Sequence, residues 1–327
     1  MERRHGHYGR HNGLGRGIDT MALSLQHLAL GIPDLKAGAD FYTTFGMNMR
    51  EGDDRLAFRC DNRDHDEIVL LETGKPRKFH HISFANDAAG LAGIERRLKA
   101  RNIETLKPPY KEAEDGLWFH DVDGNLVNVH EAAPNVTAPE PEPAINRPGA
   151  FTRINERGCP PFDMDPRPRR LGHMILFTPD VPRQSKFYTE VLGMRLTDRI
   201  VDGFAAFLAT DGDSDHHVLA LLNSVAPGFH HASFEMASID ETEVAAKRLY
   251  GKGFKHAWGP GRHGVGSNYF HYFRDPWNGM AEYFFDIDYI PADCEWPVTE
   301  WTKPAGMFLW SADGPPPEDF GRNYEAD

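Results

Sequence analysis

Long apolar runs are missing from this chain of 327 residues. None approaches the ~18 consecutive residues that a membrane-crossing helix needs, so no membrane partner is expected. An excess of basic residues is missing too. Lys and Arg total 36 against 49 Asp and Glu, a net charge of -13, which argues against nucleic acid as a partner. Cysteine is scarce: Cys60, Cys159 and Cys294 have no metal-type pairing and make no disulfide framework. The opening stretch, "MERRHGHYGRHNGLGRGID", lacks the apolar centre of a secretory leader and reads as a flexible arm over 1–21. Together these absences suggest a cytoplasmic globular protein of about two domains. Histidine, by contrast, is abundant, with 17 residues.

The chain repeats itself. "QHLALGIPDLKAGADFYTTFGMNM" (26–49) recurs as "GHMILFTPDVPRQSKFYTEVLGMRL" (172–196), with one residue inserted before the glycine. His27 matches His173, Pro33-Asp34 matches Pro179-Asp180, and Phe41-Tyr42 matches Phe187-Tyr188. "KFHHISFAND" returns as "GFHHASFEMA", and "FHDVDGNLVNVHE" aligns with "YFRDPWNGMAEYF". Each copy reads as a strand ending in Pro-Asp, a helix, several strands, a second helix and further strands. Leu91, Ile94 and Leu98, and Val244, Ala245 and Leu249, have the spacing of helices packed on a sheet. The boundaries predicted are an N-terminal domain over 22–133, a stiff Pro-rich linker over 134–170, a metal-binding domain over 171–290, and an extension over 291–327 that is a candidate lid.

In the second copy, each strand that defines the repeat supplies one metal-capable side chain: His173, His231 and Glu282. Two imidazoles and a carboxylate on one face, with positions left open, suit a non-haem Fe(II) used for oxygen chemistry. A lone strand histidine is ordinarily a satisfied polar residue, and a lone glutamate a solvent-facing one; their coincidence with the repeat favours a ligand set. The first copy offers His27 and His81 but has Asn128 at the third position, so that half is expected to hold no metal. Between neighbours, His231 is preferred to His230 because strand alternation puts the latter on the opposite face. His216, His263 and Tyr272 gather near the same presumed pocket, whereas His217 and His271 read as surface or structural.

The segments "GHMILF", "DHHVLALL", "GFHHASFEM", "GRHGVGSNYFHYFRDP" and "MAEYFFD" resemble the type I extradiol ring-cleaving dioxygenases, the catechol 2,3-dioxygenase group of the vicinal oxygen chelate superfamily. The resemblance covers 22–290. It implies an α+β fold of tandem βαβββ modules, paired into two domains with barrel-like sheets. It implies Fe(II), with Mn(II) the alternative, held by His173, His231 and Glu282. It puts the O₂-side histidine at His216, fifteen residues before His231, and the substrate-side pair at His263 and Tyr272. A catechol and O₂ are the implied reactants, a hydroxymuconic semialdehyde the implied type of product, and a homo-oligomer the implied assembly. Arg262 and Arg274 are candidate anchors for a carboxylated catechol; Phe204, Phe207, Trp258 and Trp277 are candidate walls of an apolar pocket.

Two rivals differ in kind. A glyoxalase, epimerase or thiol transferase of the same superfamily would assemble its site from both modules. A metal-free binder of aromatic compounds would have lost a ligand. The polar groups concentrated in one half argue against the first, and the complete triad against the second.

Overall fold

The structure is a computed structural model that describes residues 22–134, 137–140 and 144–326; the predicted arm at 1–21 lies outside the described residues. The first half runs β1 (Ser24–Ile32), α1 (Leu35–Phe45), β2 (Asn48–Glu51), β3 (Arg55–Arg59), β4 (Ile68–Glu72), β5 (Lys78–Asn86), α2 (Ala88–Ala100), β6 (Leu117–His120) and β7 (Leu126–Glu131). The second runs β8 (Leu171–Thr178), α3 (Val181–Phe187), β9 (Arg195–Ile200), β10 (Ala205–Ala209), β11 (Ser214–Asp215), β12 (Leu219–Asn223), β13 (Gly228–Glu235), α4 (Ile239–Gly251), β14 (His256–Arg262), β15 (Tyr269–Arg274) and β16 (Met280–Phe285). The described part of the linker contains no helix or strand.

The repeated Pro-Asp…Gly pattern is a pair of helix caps. Asp34 accepts from the Ala37 amide and Asp180 from the Arg183 amide, each satisfying a donor the first helical turn leaves free. Gly46 (φ 105°) and Gly193 (φ 83°) close the helices in the left-handed conformation. The residue inserted in the second copy is absorbed as a π-helical turn over Tyr188–Leu192, which keeps both caps in register with the sheet.

The strands form a seven-stranded sheet, β2-β3-β4-β1-β5-β7-β6, and a ten-stranded sheet that runs β9-β10-β12-β8-β13-β16-β15-β14 and gains one further strand at each edge. In both, the first strand of the half runs antiparallel to the strand carrying the His-His pair, which in turn runs parallel to the half's last strand. The segment after β16 supplies β17 (Tyr289–Ile290), β18 (Thr299–Trp301), α5 (Lys303–Met307) and β19 (Trp310–Ser311). β18 pairs with β9 and β19 with β14, so this segment covers both edges of the larger sheet.

One apolar core runs through both halves. Phe45 stacks on Tyr283 at 4.0 Å, and the Tyr283 hydroxyl donates to the Phe45 carbonyl at 2.5 Å. Each ring is fully buried, worth about 1.5–3 kcal/mol apiece. The buried Glu67 carboxylate accepts from the Cys60 amide of its own half and the Leu171 amide of the other, both at 2.8 Å. Among the described residues no helix is long and apolar enough to cross a membrane.

Candidate metal centre

Strand register alone brings three side chains together. Ser233 of β13 lies opposite His173 of β8 on one side and Glu282 of β16 on the other. Residues directly opposite share a face, and His231, two residues before Ser233, shares it as well. All three are buried. His173 Nε2 is 3.3 Å and His231 Nε2 3.2 Å from Glu282 Oε2. These are ion-pair distances, yet His231 Nε2 and Glu282 Oε2 have no aligned hydrogen-bond partner although both are shielded from solvent. Buried polar atoms left so are costly unless a cation satisfies them.

Neighbouring residues fix the proton on His231. The Phe320 carbonyl can only accept, so His230 Nε2–H donates to it at 2.8 Å. His230 Nδ1 is then an acceptor, facing His231 Nδ1 at 2.5 Å. That chain leaves the lone pair of His231 on Nε2, beside Glu282, as a metal ligand requires. Burial lowers the His231 imidazole, so it is neutral and able to coordinate. Two imidazoles and one carboxylate fit Fe(II) or Mn(II).

Strand alternation, expected to put His230 on the face opposite His231, fails at this point of β13. The pairing of β13 with β8 shifts register between Phe229 and His231, a bulge at His230, and both rings line the same cavity. What distinguishes them is the partner: His230 faces the Phe320 carbonyl, His231 faces Glu282.

A second departure from expectation concerns the histidine pair ahead of β12. His216 points away from the triad, with Nε2 3.2 Å from Asp198 and its ring against Trp296. It is His217 whose ring lies 4.4 Å from that of His173 and lines the cavity. Counting back from His231 went wrong because a turn length and the bulge at His230 both enter the count; spacing alone does not choose between adjacent residues. Gly266 (φ 75°) crosses above His217, where a Cβ would stand 3.1 Å from the ring. His271, also read as surface or structural, is buried and bonded to Glu243 and Tyr250, away from the triad.

His263 and Tyr272 do meet at the site. The Met307 carbonyl accepts from His263 Nδ1 at 2.5 Å, so Nε2 accepts from the Tyr272 hydroxyl at 2.9 Å. His263 Nε2 also lies 3.7 Å from Glu282 Oε1, to which Asn268, a residue the sequence did not single out, donates at 3.4 Å. Tyr272 is opposite Glu282 in the β15–β16 register.

The cavity above these groups is walled by Ile175, Phe204, Phe207, Leu222 and Met307. Of the two arginines considered as anchors, Arg262 is engaged by Asp286 and the Ser267 carbonyl, and Arg274 by Asp319 and the Asn278 carbonyl. Trp258 packs behind Tyr272, and Trp277 packs against Gly38 in the first half.

The first half has its own gathering. His27 and His81 approach within 3.0 Å through their Nε2 atoms, and Glu114 Oε2 lies 3.6 Å from His27 Nε2. Asn128 does stand opposite Ser83 as Glu282 stands opposite Ser233. Its amide is occupied elsewhere, and the carboxylate comes instead from the loop before β6. Neither spacing nor the repeat pointed to Glu114.

A profile of the Glyoxalase/Bleomycin resistance protein/Dioxygenase superfamily matches residues 24–129 and 170–283. Metapyrocatechase 2 of Cupriavidus necator is 37% identical over 308 residues, covering 93% of this chain and 92% of that protein. An iron-dependent extradiol dioxygenase of Rhodococcus jostii is 26% identical over 73% of this chain and 81% of its own. Among solved structures, the 2,3-dioxygenase LapB of Pseudomonas sp. KL28 superposes with a TM-score of 0.69 at 25% identity, covering 87% of this chain and 99% of that one. Homoprotocatechuate 2,3-dioxygenase of Brevibacterium fuscum shares the fold, with a TM-score of 0.73 at 20% identity over 92% of each chain. With its duplicated modules and buried His/His/Glu centre, the chain belongs to this superfamily, as a type I extradiol ring-cleaving dioxygenase related to the catechol 2,3-dioxygenases.

Proposed function

We propose that the protein opens the ring of a catechol beside its two hydroxyls, using O₂ at an Fe(II) held by His173, His231 and Glu282, and releases a hydroxymuconic semialdehyde-type product. The observation that carries this reading is the orphaned pair His231 Nε2 and Glu282 Oε2, buried at the focus of three adjacent strands. The metal, when bound, supplies Lewis acidity toward the diol and a route for electrons between diol and O₂.

The protein's own part is orientation and proton handling. Tyr272, pushed well up from the usual phenol range by burial and then by Glu282, keeps its proton and can donate to a substrate oxygen. His263, with Nδ1–H committed to Met307, offers Nε2 to take a proton from the diol as it binds. His217 takes the role the resemblance assigned to His216. Burial, and after it the neighbouring His173 and His216, hold its imidazole well below the usual range. It is therefore neutral, suited to hydrogen bonding beside the triad and to moving one proton on the O₂ side. The apolar walls keep water from the reacting ring and favour a catechol with hydrogen, alkyl or halogen substituents over one with a carboxylate.

The test is to load the protein anaerobically with Fe(II), then mix it with O₂ and a panel of catechols. A yellow ring-fission product is expected with neutral catechols, at turnover well above that with carboxylated ones. No colour with any catechol, while iron is bound at the His173/His231/Glu282 site, would sink the assignment.

A further inference from the structure

We propose that His27, His81 and Glu114 form a second divalent-metal site, structural rather than catalytic, in the half that lacks a strand-borne carboxylate. Edges of 3.0 and 3.6 Å between donor atoms are those of ligands set ~2.1 Å from a common ion. The two rings are buried, and Glu114 Oε2 is shielded from solvent with no hydrogen-bond partner. A buried carboxylate oxygen facing two imidazoles is the condition a cation relieves.

The surroundings are built to hold Glu114. Trp118 stands opposite Asn128, as Tyr272 stands opposite Glu282. Its ring sits 4.9 Å from that of His81, matching the 5.0 Å between Tyr272 and His231. Where the tyrosine offers a hydroxyl to the cavity, the Trp118 indole N–H donates to the Glu114 carbonyl at 2.8 Å and ties down the loop. An Arg55–Glu112 ion pair at 2.6 Å secures the same loop two residues earlier. Asn128 is kept out of the cluster: its Oδ1 accepts from Ser83 Oγ at 2.6 Å and its Nδ2 donates to the Asp115 carbonyl at 3.2 Å. With the tyrosine's place filled by indole, the centre lacks that substrate-binding hydroxyl. The donor set suits Zn(II), Co(II) or Fe(II).

The test uses the full chain, stripped with a chelator and titrated with Co(II), with bound metal counted per chain and the visible absorption recorded. Two equivalents are expected for the unaltered protein. Glu282→Gln and His231→Ala should each weaken or lose one; Glu114→Gln and His81→Ala should each weaken or lose the other, leaving the first intact. Retention of that first equivalent shows that a variant is folded. Saturation of the unaltered protein at one equivalent overturns the proposal, as does a second equivalent whose affinity survives both Glu114→Gln and His81→Ala. Because ring cleavage depends on the His173 centre, its presence or absence reports on the proposed reaction separately from this count.

Discussion

β5 and β13 carry the same His-His pair on the same bulge, and both lie between the first and last strands of their half. They differ in where the carboxylate comes from. In the second half it stands on β16, fixed by ladder pairing to Ser233. In the first it hangs from a loop pinned by Trp118 and Arg55. A strand-borne ligand leaves the space above the triad to a cavity lined by Tyr272, His263 and His217. A loop-borne ligand approaches together with an indole that takes the tyrosine's place. In the reading proposed above, the same strand pattern serves a metal for chemistry in one half and for stability in the other, according to which element completes the set.

The largest effect is expected from Glu282→Gln. Ring cleavage should fall beyond the roughly 100-fold that loss of an outer partner of a metal site costs, and metal affinity at that centre should fall with it. Undiminished turnover and metal content would end the distinction between the halves. Next is His217→Asn, expected to lower kcat by about 10²-fold or more as a proton carrier is lost, against a far smaller change for His216→Asn. The reverse order in steady-state rates would restore His216. Tyr272→Phe should cost about tenfold in kcat/KM, the scale of one hydrogen bond to a charged group. Glu114→Gln should leave turnover of the iron-loaded enzyme within about twofold while lowering its melting temperature in metal-replete buffer; a large kinetic effect would make the first half part of the catalytic machinery.

The smallest effect concerns acid. Burial holds His27 down to about 3 and His130 down to about 4 in the folded chain, whereas unfolded imidazoles take up protons near pH ~6.5. Between those values the unfolded state binds more protons. Stability of the metal-free protein should therefore be full above about pH 6.5 and decline as pH falls toward 4. His130→Asn should make the decline shallower in melting curves taken across that range; an unchanged slope would contradict it.

Much of this was legible in the chain itself. The duplicated Pro-Asp and glycine marked caps, and the inserted residue marked the helix that accommodates it as a π turn. His173, His231 and Glu282 were visible because each falls on a strand of the repeat, and a strand's period of two preserves the face. What was hidden depended on things without a period. His217 was lost to a one-residue ambiguity between neighbours, and His230 to a bulge that breaks alternation. Glu114 sits in a loop, where no spacing rule links it to His27 or His81. The apolar cavity walls draw on Met307 and Phe320 of the irregular segment after β16, beyond the reach of the repeat.

Glu67 has a consequence for the autonomy of the two halves. Its carboxylate is fully buried and divides its oxygens between an amide of one copy and an amide of the other. Pulled apart, the first copy would keep an anion with half its hydrogen bonds, and the second would expose the start of β8, two residues from His173. The strand that opens the second half thus begins at a hydrogen bond supplied by the first, so the two copies are fastened together at a fully buried anion.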